Sequence, residues 1–451
     1  YLAEFNMGYN GTENFAKGKR FGFFPAVSLG WVISEEKFFP KNNIVKYLKV
    51  RGSYGEVGND QIGGDRFLYL PSSYGAASDS GVNKYNFGLA SNPYTSLMIV
   101  ENKIGNPDLT WEKAKKMNVG VDINLFNNCL TASFDIFKEK RNNILANRST
   151  SPMIIGANLP AYNFGEMENR GWEMDLNFRH HIQDFHYWAR FNYSFARNEI
   201  IYMDEVQKRY DYQMTTGRRK NQFFGLIFDG YYNSWEEINA LDRPKSSWSG
   251  NQLQPGDVKY VDVNQDGVID DYDMVPIGYT PVPEIIYGFS FGAQYKGFDF
   301  SILFQGADNV SIKYFGRSMW PFAKGEESAK SLIKERWTQE RYEAGEKITF
   351  PRLSLNPNGE TDHNYRPSTL WIRDASYLRL KNLEVGYTFT GGFVKRLNLN
   401  SVRLYFNGSN LFTWTDVVDL DPEAPSRSGN VEINTYPLQK VYNICLLYTS
   451  D

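Results

Sequence analysis

The chain has 451 residues, of which 41% are hydrophobic and 16% aromatic, with 30 Tyr, 32 Phe and 10 Trp. Its net charge of −3 provides no field to attract nucleic acid. No run of 18 apolar residues occurs, so there is no transmembrane helix; membrane strands remain open, because alternating segments score low on hydropathy.

The chain opens on an alternation of Tyr1, Ala3, Phe5, Met7 and Tyr9 against Leu2, Glu4, Asn6, Gly8 and Asn10, and reads as starting inside a sheet. The same period of two recurs in "LTASFDI", where Leu130, Ala132, Phe134 and Ile136 oppose Thr131, Ser133 and Asp135. In "FHYWARFNYSF", Phe185, Tyr187, Ala189, Phe191, Tyr193 and Phe195 oppose His186, Trp188, Arg190, Asn192 and Ser194. "FSFGAQYK", "FDFSILFQ" and "VRLYFNGSN" continue the pattern to residue 410. About twelve long strands result. Helix signals are few; the best is Glu326 to Tyr342, with Leu332, Ile333 and Trp337 on one face.

The connections alternate between tight and long. "NN" at Asn127 and Asn128, Ile182 to Asp184, and Lys296 to Phe298 are tight, whereas 59–108, 143–165, 199–282 and 308–369 are long. Up-and-down strands put successive connections at opposite ends, and short turns at one end with long loops at the other is the pattern of outer-membrane barrels. By that parity, segment 199–282 holds an even number of spanning strands, and its "GLIFDGYY" and "GDVKYVDV" form either an extra spanning pair or a hairpin outside the membrane. The apolar face of each strand is then expected to meet lipid, and polar positions such as Arg190, Asn192 and Gln294 to line a wet lumen. The rival reading is a secreted all-β protein with a dry core, either a glycan-binding protein or a glycoside hydrolase.

The sharpest local motif is "DVNQDGVIDDYD". Asp262, Asn264, Asp266, the Val268 carbonyl, Asp270 and Asp273 occupy positions 1, 3, 5, 7, 9 and 12 of a calcium loop, with Gly267 at the turn. Its flanks are not those of an EF-hand, so calcium would sit in an isolated loop; otherwise the stretch is an acidic turn. Cys129 and Cys445 form neither a disulfide framework nor a zinc site. No nucleophile elbow, zinc motif or P-loop is present, and His180, His181, His186 and His363 form no catalytic pattern, so the chain is not read as an enzyme. Tyr231, Tyr232, Trp235, Trp248, Trp320 and Tyr365 in the long loops either offer stacking faces to cargo or pack the loops on one another.

The segments "NGTENFAKGKRFGFFPAVSLGWVISEE", "YLKVRGSYGEVGND", "LTWEKAKKMNVGVDINLF", "GDVKYVDVNQDGVIDDYD", "DASYLRLKNLEVGYTF", "RLYFNGSNLFTW" and "YPLQKVYN", in this order, resemble SusC/RagA-type TonB-linked outer-membrane proteins. The resemblance covers nearly the whole chain. It implies an all-β transmembrane antiparallel barrel of roughly 22 strands, of which residues 1–443 are the C-terminal part, with a plug and TonB box outside this chain. It further implies import of oligosaccharides or peptides across a Gram-negative outer membrane, a SusD-like lipoprotein lid over the outer loops, energy through TonB, and outer-membrane lipid around the wall. Calcium is the one cofactor expected. A passive porin would lack plug and TonB box. Residues 444–451, "ICLLYTSD", depart from the family's alternating, aromatic ending and read as an atypical, artefactual end.

Overall fold

In the computed structural model, twelve strands form one antiparallel sheet in strict chain order. They are β1 (Leu2–Gly11), β2 (Phe21–Val32), β3 (Val45–Asn59), β4 (Glu112–Leu125), β5 (Leu130–Ala146), β6 (Tyr162–Ile182), β7 (Phe185–Tyr202), β8 (Ile285–Tyr295), β9 (Phe298–Asp308), β10 (Tyr377–Phe389), β11 (Ser401–Thr415) and β12 (Val441–Thr449). The structure describes the chain except residues 64–65, 71–74, 77–83, 90–93, 98, 101–103, 151–158, 249–252, 315–319, 323–330, 355–361, 419, 424–429, 432–436 and 450–451.

One end of the sheet carries three tight turns and two links of intermediate length, residues 33–44 and 390–400. Lys296 and Gly297 join β8 to β9 with φ of 44° and 90°, the positive pair that a two-residue hairpin needs to match strand twist. Gln183, at φ 51°, turns β6 into β7, and Phe126, Asn127 and Asn128 turn β4 into β5. All the long connections leave the other end, as the loop lengths required. Among its described residues, segment 203–284 contributes no strand to the wall: its Phe228–Tyr231 pairs with Val258–Tyr260 in a separate two-stranded sheet.

The register extends the alternation across neighbouring strands. Val50, Val121, Phe134, Met174, Tyr193, Tyr287 and Gly306 stand directly opposite one another from β3 to β9. One residue along, Lys49, Asp122, Ser133, Asp175, Asn192, Gly288 and Gln305 form the matching polar row. Because side chains alternate with period two, one face of the wall is an apolar band and the other is polar. Aromatic rings mark both ends of the band. Phe185, Tyr295, Phe298 and Tyr387 lie by the short turns; Trp172 and Tyr193 stack at 4.6 Å toward the long loops. Girdles of this kind sit at the two membrane interfaces.

One expectation changes. The single helix over Glu326–Tyr342 is replaced, within its described part, by a 3-10 segment at Ser331–Glu335 and a short helix at Gln339–Glu343. Thr338 starts the second afresh by accepting from the Arg341 amide, and Trp337, just before it, is drawn into a buried cluster. Residues 444–449, read as an atypical end, pair in register with β11 as far as Thr449. Their alternation survives on the apolar side as Tyr442, Ile444, Leu446 and Tyr448; Cys445 and Leu447 face the polar side.

Placing Phe191→Arg at mid-band in the intact protein puts a charge against hydrocarbon, at a cost of about 2–4 kcal/mol. Urea unfolding from lipid vesicles should register that loss. Asn192→Arg, one residue away on the polar face, should leave the transition nearly unmoved.

Candidate functional site: the polar face and the outer loop body

The polar face carries charge in paired clusters. Arg51 of β3 donates both terminal nitrogens to Asp135 of β5 at 2.6 Å and its Nε to Asp122 of β4 at 3.1 Å. On the far side, Arg403 of β11 bridges Asp299 of β9 and Glu384 of β10, the latter at 2.6 Å. Bidentate guanidinium–carboxylate geometry fixes these side chains as rigid polar posts. The residues expected to line the lumen lie on this face: Arg190 sits over the Trp188 ring at 5.4 Å, Asn192 stands opposite Asp175 and Gly288, and Gln294 stands opposite His186 and Asp299.

Sequence reading missed the most deeply held of these groups. Arg379 of β10 is 2% exposed. It donates to Thr413 at 2.9 Å, Asp421 at 2.7 Å and Glu423 at 2.5 Å. Tyr377, Lys381 and Gln305 also reach Glu423. The start of the β11–β12 loop is thereby tied to the polar side of the wall. Removing one partner of such a buried cluster would leave an uncompensated charge. The available signal was the inward position of Arg379 in "YLRLKNLEV", but its carboxylate partners lie more than 40 residues downstream and no local spacing announces them.

At the long-loop end, three connections fold into one body. Its buried cluster takes Leu226, Tyr231, Val258, Tyr260 and Ile269 from the β7–β8 connection. Val310, Ile312, Tyr314, Trp337, Phe350, Tyr365 and Trp371 come from the β9–β10 connection, and Val417 from the β11–β12 connection. A polar knot crosses it. Arg352 contacts Asp257 at 2.6 Å, and Asn364 donates to Asp257 at 2.8 Å while accepting from the Val258 amide at 2.9 Å. His363 is half-buried among these, with Nε2 2.8 Å from the Val258 carbonyl and Nδ1 3.1 Å from the Ser246 hydroxyl. Burial holds its pKa below the ordinary value. The loop aromatics therefore mostly pack the loops on one another. Tyr231, Tyr232 and Tyr365 are buried, Trp320 lies against Tyr365, and Trp248 lies under Arg366 at 4.2 Å; Trp235 is exposed.

The acidic motif forms a compact turn within this body. Asp262 accepts from the Gln265 and Gly267 amides, Asn264 from Asp266, Asp266 from Val268, and Asp270 from Tyr272. Asp273 is fully buried and accepts from the Val263, Asn264 and Asp270 amides. Burial raises its pKa, and the Asp262 charge adds to the effect. Among the described residues, no group of three or more His, Cys, Asp or Glu converges closely enough to hold a metal. Nearby backbone amides hydrogen-bond these carboxylates.

An antiparallel wall in up-and-down order, apolar outside and polar inside, with short turns at one end and a folded loop body at the other, defines a transmembrane β-barrel of the outer-membrane type. Residues 4–411 match the family model described as TonB dependent receptor-like, beta-barrel, and the chain belongs to that family. Its localisation is accordingly the Gram-negative outer membrane. It is similar to "TonB-dependent receptor P3" of Formosa agariphila, 28% identical over 95% of this chain and 41% of that protein. It is similar to "TonB-dependent receptor SusC" of Bacteroides thetaiotaomicron, 28% identical over 97% of this chain and 41% of that protein. The chain thus spans about two fifths of the length of these curated relatives. The solved "RagAB peptide transporter" superposes with a TM-score of 0.72 over 99% of this chain and 45% of that one, at 24% identity, and so supports the fold. The secreted all-β reading gives way to this assignment.

Because His363 is held neutral below its ordinary pKa of about 6.5, the unfolded loop body binds a proton more readily than the folded one. That stability is present above about pH 6.5 and is lost as pH falls through and below it. Amide exchange of residues 257–260 and 363–371 should therefore accelerate on acidification. The acid-dependent part should vanish in His363→Gln, which still donates to the Val258 carbonyl.

Proposed function

We propose that this chain is the wall-and-loop portion of a TonB-dependent importer for oligosaccharides or peptides. It would work beneath a SusD-like surface lipoprotein and be driven through TonB, which acts on parts outside the chain. The observation that carries the reading is the join between a polar-lined membrane wall and a loop body large enough to have its own core. A pore needs only the first; a gated passage for large cargo needs both. The sheet edges at β1 and β12 also require partner strands, since hydrocarbon leaves no unpaired backbone satisfied.

Transport here is passage rather than covalent chemistry. The paired clusters at Arg51 and Arg403 keep the polar face hydrated without presenting a bare charge that would trap cargo. The loop body, tied at its root by Arg379, would move against the lipoprotein lid as one piece. A strain lacking the intact gene should lose growth on oligomeric glycan or peptide as sole carbon source and keep growth on the monomers, and loss of TonB should give the same phenotype. Unimpaired uptake of both oligomer classes in the deletion strain would refute the importer.

The acidic loop carries a separate proposal: that calcium binds Asp262, Asn264, Asp266, the Val268 carbonyl, Asp270 and Asp273, relieving the burial of the Asp273 charge. A hard cation suits an all-oxygen donor set, and the turn at Gly267 (φ 81°) already has the required bend. In the intact protein, calcium should raise the protease resistance of segment 255–280, and Asp262→Ala with Asp266→Ala should abolish that rise. Equal resistance with calcium and with chelator in the unmutated protein would remove the site.

A further inference from the structure

Just past the long-loop end of the apolar band, four adjacent strands turn basic on their lipid-facing side. In β5 the outward row runs Leu130, Ala132, Phe134 and Ile136, then Lys138 and Lys140; in β6 it runs Phe178, Leu176, Met174 and Trp172, then Arg170. In β4, Val121, Val119 and Met117 give way to Lys115 and Lys113; in β7, Tyr193 and Phe195 give way to Arg197. The register sets Lys138, Arg170 and Arg197 directly opposite one another, and Lys115 directly opposite Lys140. Strands about 4.8 Å apart hold the first three cations within about 10 Å.

Like charges directly opposite on a sheet repel, so such an arrangement is costly unless an anion shares it. The nearby carboxylates answer only part of it. Glu168 reaches Lys138 at 2.9 Å and Glu166 reaches Lys140 at 3.0 Å; Glu56 stands 3.8 Å from Lys115 and 3.9 Å from Lys113. Glu284 takes Arg197, and Glu199 stands opposite Glu168. Arg170 is exposed and has no carboxylate partner among the described residues. The lysine ends of these pairs are open to solvent, which weakens the pairing.

Depth identifies the anion. From Ile182 to Trp172, β6 runs roughly 34 Å along the strand, or about 25 Å across a membrane at the usual barrel tilt. That equals the height of a barrel's apolar band, so Arg170 emerges at headgroup level. The Trp172–Tyr193 stack directly beneath it marks the interface.

We propose that Lys115, Lys138, Lys140 and Arg170 bind the phosphate-bearing headgroup of an outer-leaflet lipid. The site lies on the outside of the wall, separate from the passage. The test uses the intact protein, extracted from the outer membrane in mild detergent, with retained phosphorus-containing lipid measured by mass spectrometry. The combined variant K115Q/K138Q/K140Q/R170Q should retain about fivefold less lipid or lower, whereas K115R/K138R/K140R/R170K should retain it near the original level. Removing charges at the opposite end (K296Q, K395Q and R396Q) should change nothing. Equal retention by the glutamine variant, or an equal loss in the opposite-end variant, would overturn the site. A second measurement needs no variant: raising the salt in the wash from low to molar should strip the lipid from the unmutated protein, and salt-independent retention would overturn the site as well.

Discussion

The whole arrangement depends on one constraint: hydrocarbon offers backbone amides and carbonyls nothing to bond to. Every strand must therefore be paired along its membrane-spanning length, and antiparallel neighbours joined by tight turns satisfy this with the least chain. Once the backbone is committed, the period-two side-chain alternation has no freedom left. A slip of one residue would carry Val121, Phe134 and Tyr193 onto the wet side and Asp122, Ser133 and Asn192 onto the lipid side, so pairing and patterning enforce the same register. Even the bulge between Leu380 and Asn382 preserves the rule: Leu380 and Leu383 both stay on the apolar face by letting Lys381 stand out of step.

Outside the membrane that constraint is lifted and a different one takes over. The β7–β8 and β9–β10 connections have too little regular structure to be stable alone, so they bury aromatic and aliphatic side chains against each other. Two-residue strands, short helices and the Asp257–Asn364–Arg352 knot then account for the backbone and charges that burial would strand. The acidic turn at 262–273 follows the same logic, with the Asp273 carboxylate accepting from the nearby Val263, Asn264 and Asp270 amides.

The wall was legible in the sequence because its signal is local and repeated. The "FHYWARFNYSF" strand announces both its faces, and "NN" announces its turn. Loop parity then ordered the strands without any knowledge of their partners. The loop body was far less legible. Nothing near Tyr231 or Tyr365 states that they meet, since they are brought together by contacts between loops that lie far apart in the chain. The spacing of Trp337 from Leu332 and Ile333 suits a helix, but its burial in the cluster that also holds Phe350, whose carbonyl accepts its amide, outweighs that spacing. Arg379 and His363 were overlooked for the same reason: each is defined by partners from distant segments.

The shared core of the outer loops bears on how such a protein can diversify. Because Tyr231, Tyr365 and Val417 belong to three different connections yet fill one interior, no connection is free to be exchanged by itself. A loop transplanted singly from a relative would bring half of each interface and find the wrong shape in the other half. New specificity at this surface would have to arise either at exposed rim positions such as Trp235, or through inheritance of the three connections as a set.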